Sequence, residues 1–339
     1  MPDRSIELDA PATEVLRMLY SDGLIRDPAA TITPLSGGVS SAIYLVRADN
    51  RQFVVKRALP KLKVKQEWLA DTSRSGNEAA YISYVARFLP HDVPRLEYVS
   101  ADHGYFCMEY LGESWQNWKE MMLGGWCDPG VATSAVGLLG KIHARSAQDR
   151  EARERFQTLA NFEQLRIEPY LLATARRHPR LKEILEAEAS RLRSARNVLT
   201  HGDFSPKNIL VSPERLMVVD CECAWYGDAA FDVAFLLSHL FLKSLARPAI
   251  GPWQKIVEVA WSSYLASRFA DEIQRDDGRD VLDAQVSWLL LMLLLARIDG
   301  KSPVEYLQEH QQEHVRSYAI RRLLRGPVSL SKVIAEWFT

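Results

Sequence analysis

The chain has 339 residues, 47% of them apolar and 25% charged, which is the composition of an ordinary soluble globular protein with room for one large domain or two lobes. Lys plus Arg (42) nearly balance Asp plus Glu (43), so no overall field favours nucleic acid or an anionic membrane surface, and small molecules are the expected partners. The four cysteines (Cys107, Cys127, Cys221, Cys223) fit no zinc or redox spacing, and Met1-Pro2-Asp3-Arg4 lacks the basic-then-apolar pattern of a secretory signal. The expected setting is a reducing cytoplasm. The longest apolar run, 288–296, falls short of the roughly 20 residues of a membrane span and reads as a buried helix.

In chain order, Val15, Leu16, Leu19 and Tyr20 have helical spacing and predict a leading helix over about 5–24. The texture then turns β-type, with strands predicted at 32–35, 42–48 and 52–56 and turns at 36–41 and 48–51. A helix over 77–88 and strands at 95–100 and 105–110 follow, giving a five-stranded sheet with one main helix. Beyond residue 112 the periodicity is mostly helical, at 131–144, 163–176, 181–195, 230–245, 253–269 and 281–297. The exception is a short β-like pair, 208–211 and 215–220. The predicted class is α+β, with a β-rich N-terminal lobe over 1–112 and a mostly α-helical C-terminal lobe over 113–339.

The residues that carry chemistry centre on His201-Gly202-Asp203-Phe204-Ser205-Pro206-Lys207-Asn208, followed after the apolar run 216–219 by Asp220. Phosphoryl transfer to a hydroxyl needs a carboxylate that orients the nucleophile and accepts its proton, and Asp203 is the candidate. Asn208, five residues on, offers a hard amide oxygen for magnesium, and Asp220 at a strand end can project its carboxylate toward phosphates. His201 is expected to brace the loop. Glu222 reads as a metal ligand, a substrate contact or a solvated loop charge. Asp228 reads as a helix N-cap, and Asp232 sits in the first turn of the same helix, where either Asp can brace the loop. Lys207 either stabilises a γ-phosphate or points to solvent.

In the N-terminal lobe, the loop carrying Gly37, Gly38 and Ser40 can fold over nucleotide phosphates, since no side chain blocks its backbone N–H groups. Lys56 ends the strand 52–56, where a cation reaches the α and β phosphates, and Glu78 in the next helix supplies the anion to hold it. Glu109, in the connector 106–111, is placed to meet the adenine. The expected cofactors are ATP and Mg2+, and the acceptor a small-molecule hydroxyl.

These residues resemble the aminoglycoside phosphotransferase and choline kinase family over roughly 30–300, most closely at 201–208 and 220–232. Within it, Val55-Lys56-Arg57-Ala58-Leu59-Pro60 followed by Glu67-Trp68, and the stretch from Trp225-Tyr226-Gly227-Asp228 to Phe231-Asp232, are similar to methylthioribose kinases. The resemblance implies a protein-kinase-like, two-lobed fold and an ATP-dependent kinase acting on a sugar-like or amino-alcohol metabolite. Methylthioribose kinases tend to carry a His two residues after the catalytic Asp and paired arginines late in the second lobe, where this chain has Ser205 and Ala296-Arg297. Arg297 either contacts substrate or satisfies the last carbonyls of its helix.

The alternatives are a nucleotide-binding regulatory protein that transfers nothing and an antibiotic-modifying kinase. The second would favour an acidic pocket, which the arginine-rich stretch 163–196 does not suggest. Trp115, Trp118 and Trp126 are expected to pack beneath a loop rather than to line the acceptor site. Oligomeric state is not legible in the sequence.

Overall fold

The structure, a computed structural model, describes residues 10–35, 40–60, 71–270 and 276–339. The chain divides into two compact units, Met1–Glu113 and Ser114–Thr339.

The first unit opens with α1 (Ala10–Ser21) and continues through β1 (Thr31–Pro34), β2 (Ser41–Ala48), β3 (Arg51–Ala58), α2 (Arg74–Val85), β4 (Leu96–Ser100) and β5 (Tyr105–Glu109). The strands form one antiparallel sheet in the order β1-β2-β3-β5-β4. Asp49 and Asn50 make the β2–β3 turn with φ of 52° and 58°, the left-handed pair that suits the twist of a two-residue hairpin. Alternation along β3 decides what each face does. Phe53 and Val55 join Val15, Leu19, Tyr44 and Val46 in the core beneath α1. Lys56, on the opposite face, meets α2. That helix starts at Arg74, three residues ahead of the sequence expectation, because the fully buried Arg74 guanidinium is drawn into hydrogen bonds with the carbonyls of Ser40, Leu59 and Asp71.

In the second unit the short strand β6 (Gln116–Asn117) leads into α3 (Trp118–Leu123), α4 (Pro129–Ser146), α5 (Arg150–Arg155) and α6 (Leu159–Phe162). The single helix expected over 163–176 is a π-helix, Glu163–Leu172, continued by α7 (Ala173–Arg177). Pro169 lies inside it, and the wider π turn fits a residue that cannot donate to the regular α ladder. After α8 (Lys182–Ser194) come β7 (Val198–Thr200), β8 (Ile209–Val211), β9 (Leu216–Val218) and β10 (Trp225–Gly227), then α9 (Ala229–Ala246), α10 (Trp253–Arg268), α11 (Asp276–Asp299), α12 (Glu309–Arg325) and α13 (Leu330–Trp337). Strands β6, β8 and β9 form one small antiparallel sheet and β7 with β10 another.

Helices α9 and α11 contain windows long and apolar enough to cross a membrane, and 89% and 72% of those windows is buried within the protein. They serve as core: Leu289 to Leu295 are fully buried, as the apolar run predicted. Trp118 is also buried, whereas Trp126 is 42% exposed, so the expected packing role holds for the first and not for the second. Helices α12 and α13 were not anticipated. α12 is densely charged, and its buried side chains Val315, Tyr318, Ala319, Arg322 and Leu323 include an arginine, which hides the stripe from an apolar count.

The pairing of α4 with α10 relies on Gly140, where a Cβ would lie 2.7 Å from the Ser267 Cβ and 3.0 Å from both the Arg268 nitrogen and the Tyr264 carbonyl oxygen. Because two of these neighbours are backbone, the helices must separate to admit a methyl group. Gly140→Ala is expected to destabilise the protein by about 1–3 kcal/mol despite the higher helix propensity of alanine. A denaturant melt with an unchanged or raised midpoint would contradict this close approach.

Candidate active site

The loop 201–208 leaves β7 and returns in β8, and its first turn is set by Asp232 at the start of α9. The two oxygens of that carboxylate accept from the backbone N–H groups of His201 (2.7 Å) and Gly202 (2.8 Å). Asp232 is itself fully buried and faces Nε2 of His143 at 3.3 Å, whose Nδ1 lies 2.9 Å from the Tyr264 hydroxyl. Burial holds His143 below its ordinary pKa, so a neutral ring donates from Nε2 to Asp232 and accepts from Tyr264. Gly202 has a φ of 75°, and a Cβ there would stand 2.5 Å from the Cys223 carbonyl oxygen, so neither the conformation nor the space admits a side chain.

His201 braces the loop, as expected. Burial keeps its ring neutral, Nε2 donates to the Val219 carbonyl at 3.1 Å, and Nδ1 accepts from the Asp203 backbone N–H at 3.1 Å. The loop is thereby tied to Val219, one residue past β9 and one before the next candidate, Asp220. Asp220 itself sits at a φ of 64°, a left-handed conformation that aspartate tolerates better than most residues and that turns the chain sharply after the strand.

Asp203 is 3% exposed, and every described bond to its carboxylate falls on Oδ2: from Arg166 Nη2 (2.9 Å), Lys207 Nζ (2.9 Å) and Asn208 Nδ2 (2.8 Å). Burial pushes its pKa up, but the positive charges of Arg166 and Lys207 outweigh burial and hold the carboxyl below its ordinary value. Lys207 therefore does not merely point to solvent, although its side chain is 42% exposed. Asn208 also donates from Nδ2 to the Asp203 carbonyl at 2.9 Å, which leaves its amide oxygen as the hard donor. Glu222 is 5% exposed, which removes the reading of a solvated loop charge and leaves the other two.

Arg166 was not picked out from the sequence. It is 7% exposed, its Nε donates to the Gly202 carbonyl at 2.5 Å, and it lies on the face shared with the buried Phe162 and Tyr170. The signal was present as an arginine at four-residue spacing inside an apolar stripe, which a search for helix periodicity passes over as a surface charge. Arg297 is 8% exposed and donates from Nη1 to the Ser302 carbonyl, the Ser302 hydroxyl and the Tyr170 hydroxyl rather than to the last carbonyls of its own helix.

In the first unit, Lys56 Nζ lies 2.8 Å and 2.7 Å from the two oxygens of Glu78, with both side chains almost fully buried. The pairing expected from sequence is formed. Ser40 is 5% exposed and its carbonyl is held by Arg74 and the Leu59 N–H, which fixes the exit of the glycine loop. Gly37 and Gly38, like Glu67 and Trp68, lie outside the described residues. Glu109 donates its N–H to the Arg95 carbonyl (3.0 Å) and accepts on Oε1 from the Arg95 N–H (2.8 Å).

Among the described residues no three His, Cys, Asp or Glu side chains are grouped to hold a metal by themselves. Asp220 with the Asn208 amide oxygen nevertheless suits Mg2+, which takes one or two protein oxygens and completes its shell with phosphate and water.

Arg166 is the test of this charge balance. Removing it leaves burial opposed by Lys207 and the Asn208 hydrogen bond, so Arg166→Met is expected to raise the Asp203 pKa and to destabilise the protein by about 3–5 kcal/mol, as for a broken buried pair. A group whose folded pKa is depressed contributes stability that is lost as pH falls through that pKa. Acid unfolding of the variant is therefore expected to begin at higher pH, and an unchanged acid midpoint would show that Arg166 does not hold the carboxylate.

The family model described as the phosphotransferase enzyme family (APH) matches residues 31–264. Methylthioribose kinase 1 of Oryza sativa subsp. japonica is 24% identical over 277 residues, covering 70% of this chain and 64% of that protein. The chain thus spans somewhat less than two thirds of this relative. Choline kinase from Cryptosporidium parvum Iowa II superposes with a TM-score of 0.56 at 10% identity, covering 91% of this chain and 94% of that one. An amicoumacin kinase, solved in complex with AMP-PNP, Ca2+ and its ligand Ami, gives 0.56 at 14% identity over 93% and 95% of the two chains. The fold is that of the protein-kinase-like small-molecule kinases, as the sequence predicted.

Proposed function

The chain belongs to the phosphotransferase enzyme family, and on that premise we propose that it transfers the γ-phosphoryl group of ATP to a hydroxyl of a small, sugar-like or amino-alcohol metabolite. The observation that carries this reading is the Asp203 carboxylate: buried, ionised, and bonded through Oδ2 to Arg166, Lys207 and Asn208. Oδ1 is then the oxygen that orients the acceptor hydroxyl. With its pKa held low, Asp203 is a weak base, so its contribution is mainly alignment of the nucleophile, which suits a reaction with little charge on the attacking oxygen before bond making.

Lys56, fixed by Glu78, is the cation for the α and β phosphates, and the backbone near Ser40 is the cover over them. Asp220 and Asn208 would hold Mg2+, which when bound neutralises charge on the phosphates. AMP-PNP and a divalent cation in the amicoumacin kinase support the same cofactors here. Lys207 lies beside Asp203 and can meet charge that develops on the transferred group.

A coupled assay of ADP release with MgATP across sugars, amino alcohols and hydroxy acids tests the reading. Asp203→Asn is expected to lower turnover by about 10²–10⁴-fold while leaving nucleotide affinity within a small factor of wild type. Failure of the wild-type protein to bind MgATP would overturn it. Equal turnover in the variant would remove Asp203 from the chemistry.

A further inference from the structure

One face of α9 carries Phe231, Phe235, His239 and Lys243 at four-residue spacing. Its far end gathers positive charge without acid to match. Lys243 is 0%, His239 5% and Arg297 8% exposed. The Lys243 Nζ, His239 Nε2, Arg297 Nε and Tyr306 hydroxyl are all buried with no hydrogen-bond partner among the described residues. The charges that bear on His239 are all cationic, from Lys243, Arg297, Lys207 and Lys119. At the rim Lys119 pairs with Glu305 at 2.5 Å, which leaves Lys243 and Arg297 without an ion-pair partner among the described residues.

The ring of Tyr306 lies 5.2 Å from Lys243 Nζ, and the Tyr170 ring lies 5.9 Å from the Arg297 guanidinium. Such contacts return about 0.5–2 kcal/mol each. Burying an ammonium costs several kcal/mol, so the contacts do not account for Lys243. The cost shows in the amine itself, whose pKa burial pushes down to about 7, with Lys119 and Arg297 adding to the shift and Glu305 opposing it.

The cluster is continuous with the candidate active site. The Arg166 guanidinium, bonded to Asp203, lies 5.6 Å from the Phe235 ring and 5.8 Å from that of Tyr170, and Phe235 is 5.2 Å from the His239 ring. Side-chain packing thus runs unbroken from Asp203 through Arg166, Phe235 and His239 to the Lys243 end of α9.

We propose that Lys243, Arg297 and His239 receive an acidic group of the phosphoryl acceptor, so that the acceptor is a hydroxy compound bearing a carboxylate or a phosphate ester rather than a cation. This rests on the phosphotransferase reading and selects against its amino-alcohol branch. An anion that reaches the Lys243 amine and the Arg297 Nε gives each of these donors an acceptor in a charge-assisted bond.

The test uses the full chain, with acetate and inorganic phosphate as probes against chloride at equal ionic strength, reading the thermal midpoint in wild type and Lys243→Met. One or both anions are expected to raise the wild-type midpoint with an affinity about 10–100-fold above the variant's, and the more effective one distinguishes carboxylate from phosphate. Lys243→Met is expected to fold and to melt higher than wild type. A depressed lysine pKa withdraws stability as pH falls from the unfolded value of 10.5 to about 7, so the gain is largest near pH 7 and below and vanishes above about 10.5. The inference falls if neither anion acts, if both act equally on the variant, or if choline is turned over at equal rates by both proteins. MgATP titrated in parallel separates the two readings. If it binds and no anion does, only this inference fails; if anions act through Lys243 and MgATP does not bind, the kinase reading fails and the acceptor role with it.

Discussion

The second unit is organised around one buried carboxylate, that of Asp232. Asp232 accepts the two N–H groups that open the loop 201–208, and it is held in turn by His143, which ties α4 and α10 to the start of α9. A buried carboxylate is stable only when its oxygens are fully bonded, so Asp232 and the loop conformation require each other. Gly202 makes the fit possible by adopting a φ of 75° against the Cys223 carbonyl, where a side chain would displace both. His201 then carries the constraint forward to Val219 and hence to the turn at Asp220. The candidate base and the candidate metal carboxylate are positioned by one chain of buried hydrogen bonds.

Much of this was legible in the sequence, and what was missed follows a pattern. Alternation gave β2 and β3 with their turn at Asp49 and Asn50, because strands with one buried face read clearly at period two. The spacing of Asp203, Asn208 and Asp220 was legible because a tight loop fixes side-chain direction locally. Arg166 and Arg74 were not, since each is a cation on the buried side of its helix, justified only by a partner far along the chain: Asp203 for one, the Ser40 and Leu59 carbonyls for the other. Helix periodicity scores such residues as surface. Helix α12 was lost for the same reason, with Arg322 4% exposed inside its stripe.

Two buried lysines show how differently one fold treats the same group. Lys56 meets both oxygens of Glu78 at under 3 Å, and with its charge matched it is rigid and ready for a further anion only through its remaining donor capacity. Lys243 has no such acid among the described residues, lies on an apolar helix face, and has a pKa lowered to about 7. The first arrangement holds the amine in place through an acid of the chain itself. The second leaves an amine unpartnered among the described residues, where a fold maintained for stability alone would place an apolar side chain of the same length. The identity of the missing partner is constrained by sign before it is constrained by shape. Cations from α3, α9 and α11 converge there, while Glu305, the acid whose charge bears on Lys243, is already bonded to Lys119.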